Sequence, residues 1–334
     1  MLNRLCHRFL WFLLAILTAI AISACNVTMS QHQADSGKLS AHTDAQHSPC
    51  RVIKHAMGEA CVPMHPQRIA VLDWHSVNSL LSLQVKPIGV PSNIVPDFAD
   101  ELADVEKLGV DSQINVEKLL ALQPDLILAS SWNTSENYDQ LSQIAPTVVD
   151  DFKTTGDWKR RFALHAEASG MAEKADQLMN DYEQRLAEVR DRLGAEWVEN
   201  TKVSLVRVGS DLSRVSLYLK NSFGGTILED IGFSRPASQD EGTIDQPPFV
   251  KQISKERLQE ADGDVIFVWS FGATPEIAQA NQAGLEQMKT DPLWLQLNAV
   301  QQGKVYEVGH YWNSGSPLTA NLVFDDLLEY LADK

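Results

Sequence analysis

One stretch of this sequence occurs twice. Residues 116–131 and 255–270 align without a gap at an offset of 139. The shared pairs include Glu117 with Glu256, Leu119 with Leu258, Asp125 with Asp264 and Ile127 with Ile266. Each copy reads as a short amphipathic helix, a tight turn and an apolar run typical of a buried parallel strand. The duplication therefore predicts two similar α/β lobes with mainly parallel central sheets. Because such sheets bind ligands beyond the carboxyl ends of their strands, we expect a cleft between the lobes.

A change of pattern separates the two lobes. Apolar residues recur at spacings of three and four up to Leu193, and Gly194 follows as a C-cap. This spacing predicts one long amphipathic helix from about Trp158 to Leu193. We accordingly predict an N-terminal lobe over residues 50–157, a rigid connecting helix over 158–196 and a C-terminal lobe over 197–334.

The first residues of the chain have the pattern of an export signal. Arg4 and Arg8 precede an apolar run over residues 9–22 that is too short to span a membrane comfortably. The next residues, Ile22–Cys25, resemble a bacterial lipobox. We predict a lipoprotein signal peptide over 1–24, lipidation of Cys25, and a flexible polar tether over 25–49. The alternatives are an ordinary signal peptide with a chance cysteine and an uncleaved anchor.

The charge of the chain argues against nucleic acid as a partner. Its formal net charge is −16, and removal of residues 1–24 deletes two arginines and no acid, which leaves −18. Nucleic-acid binding needs a basic footprint, so we expect none. The cysteines that remain beyond Cys25 are Cys50 and Cys61, which flank a predicted hairpin. In an exported protein this arrangement favours a disulfide over free thiols or a metal-binding pair.

The candidate ligand-binding residues follow the predicted strands. Aromatic side chains just after the strands predict an apolar pocket with hydrogen-bonding groups at its edges. Arginines of the second lobe offer planar guanidinium groups, which bind the acidic oxygens of a ligand. The predicted contacts are Trp74, His75, Ser131, Trp132, Arg207, Arg235, Trp269, Phe271, Tyr311 and Trp312. Arg214 lies in the same part of the sequence and is read as a surface ion pair.

Catalysis and direct metal binding find little support. The sequence lacks the nucleophile-elbow, phosphate-loop, dinucleotide and zinc-protease motifs, so we predict a protein that is not an enzyme and carries no cofactor. Among the histidines that a metal site would need, His75 and His310 fall in predicted cleft loops. We therefore expect no direct protein–metal bond.

The order of several short segments resembles the ferric-siderophore substrate-binding proteins of ABC importers, a family that includes the cobalamin binder. The segments are PQRIAVLDW, VKPIGVPS, NVEKLLALQPDLILAS, LEDIGFSRP, ISKERLQEADGDVIF and PLWLQLNAVQQGKVYEV. The resemblance implies two lobes joined by one long helix, the helical-backbone type of periplasmic binding protein. It also implies a ferric siderophore as ligand, with the iron held by the siderophore.

The resemblance implies partners as well. A monomer on the periplasmic side of the cell membrane would deliver its ligand to a permease dimer and its ATPase. Family members dock through an acidic residue on each lobe, and Glu117 and Glu256 match that pattern. A cobalamin or haem carrier of the same fold, and a hydrolase acting on an iron chelate, remain the alternatives.

Overall fold

The structure is a computed structural model that describes residues 50–92, 98–110, 113–134 and 136–332. The predicted signal peptide, Cys25 and the tether lie outside the described residues. Across the described ranges, no helix combines the length and the apolar character needed to traverse a lipid bilayer.

The N-terminal lobe is built around a parallel sheet. Its strands are β1 (Cys50–His55), β2 (Gly58–Pro63), β3 (Ile69–Val71), β4 (Gly89–Val90), β5 (Glu106–Lys107), β6 (Gly109–Val110), β7 (Gln113–Ile114), β8 (Leu126–Ser130) and β9 (Thr147–Asp150). Its helices are α1 (Trp74–Ser82), α2 (Val116–Ala121), α3 (Ser131–Thr134) and α4 (Tyr138–Ser142). The sheet has the order β5-β4-β3-β8-β9, with every pair parallel. The predicted parallel sheet is confirmed.

Three helices follow where one was predicted. They are α5 (Trp158–Ala168), α6 (Ala172–Leu193) and α7 (Ala195–Asn200). The long helix is therefore present as the 22 residues of α6, but its predicted start at Trp158 is wrong. The chain turns at Gly170, whose φ of 74° lies in the left-handed region that glycine adopts at little cost. Gly194 ends α6 as predicted, with its N–H bonded to the Arg190 carbonyl.

The C-terminal lobe contains a mixed sheet. Its strands are β10 (Val203–Val208), β11 (Arg214–Tyr218), β12 (Val250–Ser254), β13 (Val265–Trp269) and β14 (Val305–Glu307). Its helices are α8 (Phe223–Ile231), α9 (Pro275–Met288), α10 (Asn298–Gln301) and α11 (Pro317–Leu331). The order is β12-β11-β10-β13-β14. Strands β12, β10, β13 and β14 run in the same direction, whereas β11 runs antiparallel to both of its neighbours. The sheet is thus less parallel than that of the first lobe.

The two repeat units occupy equivalent places in the two sheets. Ile69 pairs with Leu126 in the first lobe, and Val203 pairs with Val265 in the second. The repeated aspartates have the same task. The carboxylate of Asp125 accepts the backbone N–H groups of Gln67 and Arg68, each at 2.8 Å, just before β3.

In the second lobe, Asp264 Oδ2 accepts the N–H of Lys202 at 2.8 Å, just before β10. Each aspartate therefore ties the turn that precedes its strand to the start of the neighbouring strand. This shared role explains why the residue occurs at the same place in both copies.

The lobes share two helices. Met179 of α6 packs against the core of both lobes. The closing helix α11 does the same, because Leu327 is part of the second lobe's core while Leu318 and Leu322 pack on the first. The long helix α6 therefore joins the lobes, as predicted, and the closing helix α11 packs across the same junction. The described residues of both lobes fall in one compact unit.

The hairpin at the start of the described chain carries the predicted disulfide. Cys50 and Cys61 are bonded, with their Cα atoms 5.4 Å apart, and β1 pairs antiparallel with β2. The turn of the hairpin is at Ala56 and Met57. The hairpin joins the first lobe through the Ala56 N–H, which donates to the Val149 carbonyl at 2.9 Å.

Candidate functional site

A cavity of about 220 Å³ lies where the carboxyl ends of the first lobe's strands face the second lobe. Residues at or just after the strand ends of the first lobe supply most of its wall, and Phe249 and Asn313 come from the second lobe. The lining residues are Asp73, Trp74, His75, Ser130, Trp132, Phe152, Thr155, Phe249 and Asn313. The cavity lies in the predicted cleft.

The N-terminus of α1 fixes the cavity floor. Asp73 follows β3 and caps the helix, since its carboxylate accepts the Ser76 N–H at 3.0 Å. Trp74 and His75 are the first two helical residues, so their side chains emerge directly at the end of the strand. His75 Nδ1 donates to the Ser314 carbonyl at 3.3 Å and so ties the floor to the second lobe.

Six rings form a continuous aromatic band across the floor of the cleft. Successive ring centroids lie 5.3, 5.1, 3.6, 5.6 and 3.8 Å apart in the order Trp132, Phe152, His75, Trp74, His310, Phe271. The indole of Trp132 lies nearly parallel to Phe152 and is 63% exposed. The band begins in the first lobe and ends in the second, so a bound molecule of sufficient width would contact rings of both lobes.

Both histidines of the band are held neutral. Burial lowers the pKa of His75 well below its usual value, and the positive charge of Arg161 lowers this pKa further. Burial and then the charge of Arg207 lower the pKa of His310 to about 3. At neutral pH the two imidazoles are therefore uncharged flat surfaces, and the band carries no cation of its own.

The wall of the second lobe has a different character. Arg207 lies near the end of β10 and lines a cavity of about 300 Å³ with Arg214, Ser216 and Gln252. Its half-buried guanidinium makes no side-chain hydrogen bond or ion pair within the described part of the chain. Arg214 lies 3.9 Å from Asp211, with both side chains about two-thirds exposed, in the predicted surface ion pair.

A buried group of charges supports the floor from below. The Ser76 hydroxyl donates to Asp73 at 2.6 Å, and His165 Nε2 lies 3.5 Å from an Asp150 oxygen. Arg161 donates to the Gly315 carbonyl at 3.2 Å, and its guanidinium lies over the Phe152 ring at 4.6 Å. Burial, and then Asp150, raise the pKa of Asp73. These contacts fix the residues behind the cavity and connect them to the second lobe.

The structure places three of the predicted contacts away from the cleft surface. Arg235 is 7% exposed and donates to the Tyr218 carbonyl and to Gln239 inside the second lobe. Trp269 and Trp312 are both fully buried in the core of that lobe. Their prediction as ligand contacts is corrected, since each side chain points to the interior of its lobe.

Two further predicted contacts lie at the margin. One is Ser131, since the serine that lines the cavity is its neighbour, Ser130. Tyr311 is half-buried and donates from its hydroxyl to Asp326 at 2.7 Å. By contrast Trp74, His75, Trp132, Arg207 and Phe271 line the cavities.

The sequence missed Phe152 and Phe249. Phe152 comes two residues after β9, so the rule that selected the other aromatics would have found it. Phe249 follows the cis-proline pair Pro247-Pro248 and precedes β12, and no strand-end signal marks it. Within the described residues, no group of three or more histidine, cysteine or acidic side chains is arranged to hold a metal ion.

The predicted docking glutamates are both exposed, in the first turn of their helical segments. Asn115 is the N-cap residue of α2, two positions before Glu117. Ser254 is the N-cap residue of the 3₁₀ segment Lys255–Ala261, two positions before Glu256. A hydrogen bond with Ser254 lowers the pKa of Glu256, so this carboxyl is ionised at neutral pH.

Comparison with known proteins gives a consistent result. A family profile described as periplasmic binding protein matches residues 69–311. The probable siderophore-binding lipoprotein YfiY of Bacillus subtilis is 33% identical over 330 residues, which cover 96% of this chain and 95% of the relative. The achromobactin-binding periplasmic protein of Dickeya dadantii is 28% identical over 274 residues, or 78% of this chain and 85% of that protein.

A solved structure has the same architecture. SirA of Staphylococcus aureus, complexed with staphyloferrin B, superposes with a TM-score of 0.73 at 28% identity. The match covers 84% of this chain and 98% of SirA.

Proposed function

The chain belongs to the periplasmic binding protein family, and on that premise we propose that it captures a ferric siderophore for an ABC importer. The relatives named for siderophores support this ligand. The single observation that carries it furthest is the aromatic band, which spans both lobes and ends near Arg207. Flat apolar surface with a few polar groups is the usual composition of a small-molecule site.

The bound chelate would contact the residues that line the cleft. Trp74, His75, Trp132 and Phe271 offer ring faces, and Arg207 offers donors for acidic oxygens. Ser131 and Tyr311 would contact only a ligand that extends to the edge of the cleft. The siderophore holds the iron, and the protein supplies neither cofactor nor catalytic group. The ligand is thus bound and released without chemical change.

Delivery would use the two exposed glutamates. The start of α2 lies just beyond β5, since the Asn115 N–H donates to the Leu108 carbonyl at 2.6 Å, and β5 runs in the same direction as β8. The segment that begins at Lys255 directly follows β12, which runs in the same direction as β13. Glu117 and Glu256 would therefore face a permease dimer from the cleft edge and pair with its cations.

The remaining features concern location. We propose that the chain acts as a monomer outside the cytoplasm, on the periplasmic side of the cell membrane, and is held there by a lipid on Cys25. The similarity to a probable siderophore-binding lipoprotein extends over almost the whole chain, which supports this assignment.

Ligand titration tests the proposed function. Because the exposed Trp132 lies against the cavity, its fluorescence should report binding. We expect ferric chelates to quench this fluorescence with sub-micromolar affinity. Their iron-free forms should bind at least about 10-fold more weakly, a difference of roughly 1.4 kcal/mol in binding free energy.

The control is Trp197→Ala, which removes an indole that is 37% exposed outside the cleft. This variant should leave the titration unchanged, whereas Trp132→Ala, followed by calorimetry, should weaken binding. Quenching by cobalamin or haem alone would contradict the choice of ligand. Recovery of a chemically altered chelate would identify a hydrolase instead.

A further inference from the structure

On the assumption that the proposed function holds, we infer that the cleft is built for a carboxylate-bearing ferric chelate bound in one orientation. Its anionic oxygens would face Arg207 and Arg214 of the C-terminal lobe. Its carbon skeleton would face Trp74, Trp132 and Phe152 of the N-terminal lobe. The inference rests on the unequal polarity of the two walls.

The cations that line the two cavities described above lie on the wall of the second lobe. Arg207 and Arg214 line the cavity of the second lobe together with the polar side chains of Ser216 and Gln252. The carboxylate of Asp211 also lines it, 3.9 Å from Arg214, so two arginines face this cavity against one acid. Arg207 is half-buried, and no carboxylate among the described residues pairs with it. A ligand that covered this guanidinium would remove it from water, which is strongly unfavourable unless an anion compensates.

Arg214 is available to the same ligand. Its contact with Asp211 is at 3.9 Å between side chains that are 66% and 67% exposed, and such surface pairs are weak. Arginine donors match carboxylate oxygens in pairs, so the two guanidinium groups together suit a ligand with carboxylates on one side.

The opposite wall has no cation among the described residues that line it. The cavity of the first lobe is bounded by aromatic rings, two hydroxyl residues, Asn313, the neutral His75 and the buried Asp73. Carbon atoms or rings of the ligand can pack there, whereas an anionic group would meet an apolar surface and the carboxyl of Asp73.

This division of charge discriminates among chelate classes. A neutral trihydroxamate would leave Arg207 covered and unpaired. A tris-catecholate carries its negative charge on all sides, and only one wall could compensate it. A citrate-type siderophore in which a carbon linker joins the chelating groups can place its carboxylates on one side and carbon on the other, so it fits both walls.

The test compares three probes on matched variants by calorimetry. The probes are ferric dicitrate, the neutral trihydroxamate ferrichrome and the tris-catecholate ferric enterobactin. We expect the protein to bind ferric dicitrate at least about 10-fold more tightly than ferrichrome. Arg207→Gln should weaken dicitrate binding by about 10- to 100-fold, in line with the strength of charge-assisted hydrogen bonds.

The same substitution should change ferrichrome binding by less than about threefold, because a neutral chelate gains little from the lost charge. The control is Arg192→Gln on the exposed surface of α6, which removes an equal charge away from the cleft and should change neither affinity. Arg214→Gln should reproduce part of the Arg207 effect.

Two results would overturn the inference. One is tighter binding of ferrichrome or ferric enterobactin than of ferric dicitrate, and the other is an equal loss for all three probes in Arg207→Gln. Either result would leave a ferric-siderophore carrier of another class. If the unsubstituted protein bound none of the three probes, the proposed function itself would fail.

Discussion

His310 stacks on Phe271 in the aromatic band and neighbours the tilted ring of Trp74. Its charge state is set by these buried surroundings and by Arg207. Arg207 and the burial of the ring keep the imidazole neutral. No negative group is among the causes of its shift. The folded protein therefore cannot take up a proton on His310 in the range where an exposed histidine would do so.

This neutrality makes stability depend on pH. The folded pKa of His310 is about 3, below the usual 6.5, so between these values the unfolded chain binds the extra proton. Stability is then complete above pH 6.5 and falls as the pH is lowered. Between pH 7.5 and pH 5 we expect His310 to account for a loss of about 2 kcal/mol in the free energy of unfolding.

Urea denaturation of the protein and of His310→Gln at both pH values measures this loss. The variant should lose less stability on acidification, and the difference between the two proteins isolates the histidine from other titrating groups. An identical pH dependence in both would contradict the assignment.

Residue-level prediction failed where the packing around a side chain, and not its place along the strand, decides whether it reaches the cleft. Ser130 and Trp269 occupy matched positions of the repeat, at the ends of β8 and β13. Ser130 lines the cavity, whereas Trp269 fills the core of its lobe beside Tyr218. Because the alternation of side chains along a strand is the same at matched positions, it does not distinguish the two residues. The sequence locates the loop but not the side chain.

At the level of elements, the break between α5 and α6 is the clearest departure from expectation. The apolar spacing continues through both helices, and only Gly170 marks the boundary. A Cβ at this position would lie 2.7 Å from the Met64 carbonyl oxygen, besides the strain of a φ of 74°. Gly170 therefore allows the hairpin-bearing edge of the first lobe to pack closely against the turn.

Gly170→Ala tests this role. We expect a loss of about 2–3 kcal/mol in the free energy of unfolding, from backbone strain together with the clash. The matched control is Gly303→Ala, because Gly303 has a similar φ of 67° and open space around its Cα. Strain alone should cost the control about 1 kcal/mol. Equal losses in the two variants, measured by urea denaturation, would show that the contact with Met64 carries no energy.

Across the whole molecule, the sequence repeat predicts the layout of the lobes well. The matched register of β3 with β8 and of β10 with β13 follows from the duplicated unit and its aspartate. The antiparallel strands β11 and β12 and the second bridging helix α11 were not predictable in this way. They lie outside the repeat, and their placement depends on packing between residues far apart in the chain.

The central claim is that this molecule captures a ferric chelate and hands it to an importer, and uptake of radioactive iron tests it most directly. Cells without the protein should lose uptake of the chelate that it binds, and the unaltered protein should restore it. The double variant Glu117→Lys, Glu256→Lys should bind the chelate normally and restore less than about a tenth of the uptake, since docking would meet like charges.

The control carries the same change of charge on the exposed surface of α6, at Glu173→Lys and Glu188→Lys, and should restore uptake fully. Full uptake by the docking variant would contradict the assignment of Glu117 and Glu256. Undiminished uptake of every ferric chelate by cells that lack the protein would contradict the account as a whole.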